Sequence, residues 1–289
     1  MEIKSTSDFM AKCLGNPLLK TDGLTVFYRG VNKIYPAETR HIPSLYYPPN
    51  TFYEHEDAIF KEVISIFPDE MLVQRSTVEK LFLMQHYRFP TRLLDISKNP
   101  LVDLFFACFA DKGDAASLKE DGVVYVYAVP TEEIKFSDSN TVSILANLCK
   151  CKKTFSVKNI LHLDRKKFNA ETEAAWELLY VIQEEKPHFR NVINPKDIPT
   201  VVCLRPRMNN PRIIRQDGCF FLFGVTGEKK DCAKMPPEWI KDHIVIPANS
   251  KKRILEELDK MDFNEGFFYP DLEHYSNVIR KRYHKKSTS

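Results

Sequence analysis

The sequence predicts an α+β fold, with a mixed or antiparallel split sheet flanked by helices. Three observations carry this. The strings 24–29 (LTVFYR), 123–129 (VVYVYAV), 199–204 (PTVVCL), 219–225 (CFFLFGV) and 243–248 (HIVIPA) are short and rich in β-branched and aromatic residues, so they read as strands. Other stretches place apolar residues at helical spacing, as in Ile59, Phe60, Val63, Ile64 and Phe67. The two kinds interleave irregularly, which disfavours a regular parallel βαβ sheet.

The turn at Asp22-Gly23 launches the first strand. Residues 35–53 are rich in Pro, Tyr and Asn and read as an ordered loop carrying functional or packing side chains. An amphipathic helix follows over 54–67. Ser76-Thr77-Val78-Glu79 is a capping box that opens the next helix, through about Gln85. Residues 86–90 break it, and Thr91 to Ile96 form a short strand. Asn99 caps another helix, with Pro100 at its first turn, where a missing N–H costs nothing. Its body, LVDLFFACFA, is apolar nearly all round and belongs inside.

The polar, Lys-rich stretch 137–168 reads as an insertion or mobile lobe. A helix is expected over 170–185, and a turn-rich RPRMNNPR separates the strands 199–204 and 219–225. Another helix begins at Ser250, and Pro270 opens a last one over 271–283 whose basic end suits the helix dipole. Residues 1–19 are a lead-in, 20–283 a single domain and 284–289 a basic tail.

Composition narrows the function. Of 289 residues, 43% are apolar and 28% charged, which suits a globular core and excludes general disorder. A net charge of +3 is too small for a protein that coats a polyanion, so nucleic acid stays open as a partner but is not indicated. The sequence holds no G-x-G-x-x-G, G-x-x-x-x-G-K-S/T, G-x-S-x-G or H-E-x-x-H. Gly-rich phosphate loops and the usual esterase and metalloprotease signatures are therefore missing. Seven cysteines at irregular spacing, several in apolar strings, read as reduced small hydrophobes of a cytoplasmic protein, with no zinc pattern among them. With no apolar run of about 18 residues and no signal-type stretch near the start, neither a membrane span nor export is expected.

Polar residues at the ends of strong strands mark the candidate site, because rigid strands with open ends are where sites are built. Arg29 and Gly30 close the first strand. Thr91, Arg92 and Asp95 lie between a polar loop and a buried helix. Arg212, Arg215, Gln216 and Gly218 precede an aromatic strand. Each has a structural reading beside the functional one. Arg29 pairs with an acid such as Asp95, since arginine in an apolar strand is usually paired. Arg92 and Asp95 form a buried salt bridge. His86 is a satisfied histidine at a helix end. Gln216 pins the loop before 219–225. Glu171, Glu173 and the Trp176 helix serve solvation and packing.

These strings resemble the FRG domain family, named for an aromatic-Arg-Gly triplet, here Tyr28-Arg29-Gly30. The family's second block, Q-H-Y/F-x-x-P-T-R-L-L-D-W/I-S/T-x-N-P-L-x-x-L-x-F-A, is matched almost throughout by Gln85 to Ala107. An Arg…Gln-x-G-x-Phe block is matched by Arg212, Gln216, Gly218 and Phe220, and an aromatic-Pro-Asp-Leu block by Tyr269-Pro270-Asp271-Leu272. The layout is also similar to that of ADP-ribosyltransferases, which bind NAD in a cleft of a split sheet. The resemblance implies NAD as substrate, with no metal, and ADP-ribosyl transfer to a macromolecular acceptor or simple NAD cleavage. It implies Arg29, Asp95 and Gln216 as catalytic residues. Tyr28, Arg29, Gly30, Gln85, His86, Tyr87, Thr91, Arg92, Ser97 and Arg212 would hold the nucleotide. An arginine suits a pyrophosphate, a carboxylate stabilises an oxocarbenium-like state, and Tyr87 or Phe27 could stack on a base. Asp95 or Glu173 would supply that carboxylate, because a Gln at 216 can only hydrogen-bond. The setting implied is an effector, toxin or anti-phage component. Two other functions stay open. One is a binding module using the same cleft without turnover, which Gln216 favours. The other is a phosphodiesterase or nuclease built on His86, Asp95 and Arg29, which lacks clustered carboxylates for a metal pair.

Overall fold

The computed structural model describes residues 2–110, 114–208 and 210–269. Seven strands are β1 (Leu24–Val31), β2 (Leu93–Ser97), β3 (Gly122–Pro130), β4 (Lys135–Phe136), β5 (Val201–Arg205), β6 (Gly218–Phe223) and β7 (Ile240–Ile246). They form one mixed sheet in the order β4-β5-β6-β2-β1-β3-β7. β4 runs parallel to β5, and the other neighbours are antiparallel. The helices described are α1 (Thr6–Leu14), α2 (Glu56–Ile66), α3 (Pro68–Leu72), α4 (Thr77–His86), α5 (Pro100–Cys108), α6 (Asn140–Asn147), α7 (Arg165–Glu171), α8 (Glu173–Gln183), α9 (Pro211–Arg215), α10 (Ala248–Asp259) and α11 (Glu265–Phe268).

The sheet carries cores on both faces. On one face, α1, α5 and α10 cover the β1–β3–β7 half, burying Phe9, Leu104, Phe105, Val124, Val126, Ile244 and Ile254 together. On the same face, α2, α4, α6 and α8 cover the β5–β6–β2 half around Phe60, Leu81, Leu93, Leu145, Leu178 and Phe220. The opposite face buries Phe27, Tyr127, Phe221, Phe223 and Trp239. Strand alternation sorts these sets: Phe27 faces one side and Tyr28 the other.

The two helical groups meet where the sheet is weakest. β1 and β3 pair along their whole length, from Leu24↔Pro130 to Val31↔Val123. β1 and β2 share the single pair Tyr28↔Ser97 and then part. α5 packs beside this gap, and it comes so close that a Cβ on Gly30 would lie 1.8 Å from the Asp103 carbonyl oxygen. Only glycine lets the helix and the strand approach so closely.

Several sequence expectations are corrected here. The Lys-rich stretch 137–168 is no loose lobe. Its interior holds α6, and Val142, Ile144, Leu145, Ala146, Leu148, Phe155 and Val157 are buried in the core under α4 and α8. The lysines flank an apolar run and hide it from a composition count. The lead-in contains α1, whose N-cap Ser5 accepts from the Asp8 amide at 3.2 Å and whose Phe9 and Cys13 are buried. The single helix expected over 170–185 is two, broken at Thr172. That hydroxyl donates to the Phe168 carbonyl, ending α7, and accepts from the Ala175 amide, capping α8. The helix expected over 271–283 and the tail 284–289 lie outside the described residues. No helix among the described residues is long and apolar enough to cross a membrane.

Candidate functional site

Where β1 and β2 part, a cleft of about 370 Å³ opens, within the size range of small-molecule sites. β1 lends it Arg29 and Gly30, the end of α4 Gln85 and His86, β2 Asp95 and Ser97, and α5 Asp103. The segment before β6 adds Arg212 and Gln216, and Tyr35, Phe106 and Tyr269 give aromatic surface. The wall thus combines cations, two carboxyls and rings.

Asp95 is exposed in the cleft and held in place from below. The Thr91 hydroxyl donates to Gln85 Oε1 at 2.5 Å, and Gln85 Nε2 donates to Asp95 Oδ2 at 2.6 Å. Gln85 stands in the last turn of α4 and Thr91 just before β2, so the residues of that sequence block converge on one carboxylate. Asp103 differs. It is buried, and its Oδ1 accepts from the Gly30 amide at 2.8 Å while Oδ2 accepts from the Ser97 hydroxyl at 2.6 Å. Burial pushes its carboxyl up to about 7, against the pull of Ser97, Gly30 and the Arg29 charge.

Arg29 reaches the cleft from the end of β1. Its Nη1 is buried without a hydrogen-bond partner among the described residues, which is costly for a charged donor. Arg212 and Gln216 serve partly as tethers. Arg212 Nη1 donates to the His86 carbonyl at 2.7 Å, and its guanidinium lies 4.3 Å from the Tyr269 ring centre. Gln216 Nε2 donates to the Phe268 carbonyl at 3.3 Å. Gln216 thus ties the loop before β6 to the end of α11.

Of the candidate site residues, Arg29, Gly30, Gln85, His86, Asp95, Ser97, Arg212 and Gln216 line one cleft. Others do not reach it. Arg92 is 0% exposed. Its Nε and Nη2 donate to the two Glu56 oxygens at 2.8 and 2.5 Å, and its Nη1 donates to the Phe223 carbonyl at 2.9 Å. Lys229 Nζ adds a second cation 3.0 Å from Glu56. Arg92 is a core ion pair with Glu56, and neither a nucleotide contact nor a partner of Asp95. Tyr28 is buried in the core around α5, because its neighbour Arg29 takes the other face of the strand. Thr91 is buried and acts through Gln85. Tyr87, 62% exposed, lines a second, apolar cavity beside α2 and α3. Phe27 is wholly buried, so neither ring stacks in the cleft. Glu173 is exposed at the start of α8 and does not line the cleft.

Three residues escaped the sequence reading. Asp103 carries a signal of its own, a lone acid within an otherwise apolar helix, which demands buried partners. Arg88 lines the cleft from the residue after α4's cap, at φ 63°. There the Phe89 amide reaches back to the Met84 carbonyl at 3.0 Å. This is the left-handed helix stop that glycine usually takes. Tyr125 sits directly across from Arg29 on β3, and no local pattern separates it from the other residues of that strand.

Among known protein families, a model described as the FRG domain matches residues 25–115. That range holds Tyr28-Arg29-Gly30 and the Gln85–Ala107 block, whereas Arg212, Gln216 and Tyr269 lie beyond it. Comparison with curated proteins and with solved structures returns no match.

Proposed function

We propose, for a chain that carries an FRG domain over residues 25–115, that the cleft binds NAD and that the protein transfers or releases its ADP-ribosyl group. The observation that carries this reading is Arg29, a cation with a buried unpartnered donor at the wall of an aromatic-lined cleft. A pyrophosphate would supply the missing acceptor.

The chain's own residues then divide the work. Arg29 anchors the phosphates. Asp95, oriented by Gln85, faces the ribose with a charge that opposes the one developing there. When the bond between ribose C1′ and the nicotinamide nitrogen breaks, its electron pair leaves with nicotinamide. The positive charge left on the sugar is met by the Asp95 carboxylate. An oxygen or nitrogen of a macromolecular acceptor, or of water, bonds to C1′ and loses its proton to solvent. With its amide nitrogen engaged by Phe268, Gln216 offers its amide oxygen to a ribose hydroxyl. The same tether favours a second reading, a module that binds its ligand in this cleft without turnover.

The test follows the fate of NAD labelled on the adenosine side, in the presence of cell lysate. The wild type is expected to release nicotinamide and to transfer the label. Arg29→Ala should lose both release and the NAD-dependent rise in Tm. Asp95→Asn should lose release and keep the rise. A rise in Tm without any release supports the binding module. Neither release nor a rise sinks the NAD reading. A protein that consumes NAD in its host suits a toxin, effector or anti-phage role, and its expression would deplete cellular NAD in an Arg29-dependent manner.

A further inference from the structure

Arg29 and Tyr125 stand directly opposite each other on β1 and β3. Their side chains therefore leave the same face of the sheet, with Cβ atoms about 5 Å apart. Both end in buried polar atoms, Arg29 Nη1 and Tyr125 Oη, that have no hydrogen-bond partner among the described residues. Tyr125 is only 4% exposed. Two orphaned donors side by side are rare in a folded protein, and each calls for an acceptor.

Among the described residues the surroundings supply none. The neighbouring Tyr127 hydroxyl is taken by His41 Nδ1 at 2.9 Å, and the His41 ring packs edge-on over Tyr125 at 4.9 Å. Burial, with Arg29 and Arg40 nearby, pushes His41 down to about 4, so it is neutral and brings no further charge. Asp95 accepts from Gln85 at Oδ2 and its charge favours the Arg29 cation, but it makes no hydrogen bond to Nη1. Arg29, Tyr35 and Ser44 line the cleft, and Tyr125 stands next to Arg29 on β3 without lining it.

We propose that Arg29 and Tyr125 form an oxyanion subsite that takes a phosphoryl group of the ligand, as found in a nucleoside diphosphate. For the ligand's class this rests on the NAD reading; for the subsite itself it rests on the two orphaned donors. Tyr125 is a binding and specificity residue here, and it separates ligands with a phosphoryl group from those without one. Its hydroxyl can also accept, but the guanidinium beside it favours an anionic ligand, and to an anion the hydroxyl donates.

The experiment is calorimetric titration of the full chain with ADP, with inorganic pyrophosphate and with adenosine as the uncharged control. The proteins are the wild type, Tyr125→Phe and Arg29→Lys. Tyr125→Phe should weaken ADP and pyrophosphate about tenfold, the loss of one hydrogen bond to a charged group, and leave adenosine unchanged. Its unligated Tm should not fall, because the hydroxyl removed has no partner in the fold. Arg29→Lys keeps the charge but loses the planar fork, and should weaken the same two ligands. Unchanged ADP and pyrophosphate affinity in Tyr125→Phe overturns the proposal and leaves the hydroxyl to a buried water. Failure of the wild type to bind either anion overturns it too. The two readings fail separately. ADP binding that depends on Tyr125, with NAD neither bound nor cleaved, keeps the subsite and removes the NAD reading. NAD cleavage by Tyr125→Phe with unchanged KM does the reverse.

Discussion

Arg92 and Arg29 lie close to the same part of the sheet and in opposite circumstances. Arg92, just before β2, is fully enclosed. Glu56 grips it with both oxygens, the Phe223 carbonyl takes a third bond, and Lys229 joins the same carboxylate. Arg29, at the end of β1, holds a buried donor with no hydrogen-bond partner among the described residues. The sequence places both arginines in equally suggestive strings. The difference is one of accounting for donors: a charge the fold has satisfied serves the fold, and a charge it has left open is available to a ligand.

The largest effect is expected where the charge is satisfied. Glu56→Gln would leave Arg92 and Lys229 as two buried cations without their anion, and should cost about 3–5 kcal/mol of stability, read from urea denaturation. Burial works to raise the Glu56 carboxyl, and the Arg92 and Lys229 charges outweigh it and hold it below its usual value. Its contribution is therefore lost as pH falls through that lowered value.

Asp103 should show the opposite slope. Its carboxyl is raised from 3.8 to about 7, so the folded state keeps a proton that the unfolded chain gives up. That contribution is fully present below pH 3.8 and is lost as pH rises to about 7. It amounts to a few kcal/mol, since each tenfold gain in proton affinity on folding contributes about 1.4 kcal/mol. Across that window Asp103→Asn should flatten the decline in stability. An unchanged slope would show that Asp103 is ionised in the fold throughout. Gly30→Ala comes next, because its methyl meets the Asp103 carbonyl and helix α5 must shift. The cost should be roughly 1–3 kcal/mol, with weaker ligand binding as the cleft widens. Arg29→Ala is expected to change stability least, by within about 1 kcal/mol in either direction. A large loss there, comparable to Glu56→Gln, would erase the contrast between the two arginines.

Much of the fold could be read from the sequence because its strands are strong. β1, β3, β5, β6 and β7 each announce themselves by β-branched and aromatic runs, and Ser76, Asn99 and Pro100 mark helix starts by their chemistry. What failed was local composition standing in for burial. The lysines around α6 hid a core helix, and α1 passed as a lead-in because Phe9 and Cys13 find their apolar partners only across the fold. The candidate site was readable where it follows one block, as with Gln85, Thr91 and Asp95. It was not readable where the partner is distant. Arg92 is matched by Glu56, thirty-six positions earlier, and Tyr125 faces Arg29 only through strand register. No spacing rule within a string reveals such pairings.

The two halves of the sheet are joined through one backbone pair, Tyr28↔Ser97. Beside it, the Asp103 carboxyl takes a donor from each strand, the Gly30 amide from β1 and the Ser97 hydroxyl from β2. A side chain from a third element thus stands in for the carbonyls that would stitch an ordinary ladder. Amide-to-carbonyl rungs are indifferent to acid and base across the neutral range. This rung is not, because protonation at about pH 7 turns one of its acceptor oxygens into a hydroxyl. The cohesion of the sheet at its seam is therefore set partly by the solution around it.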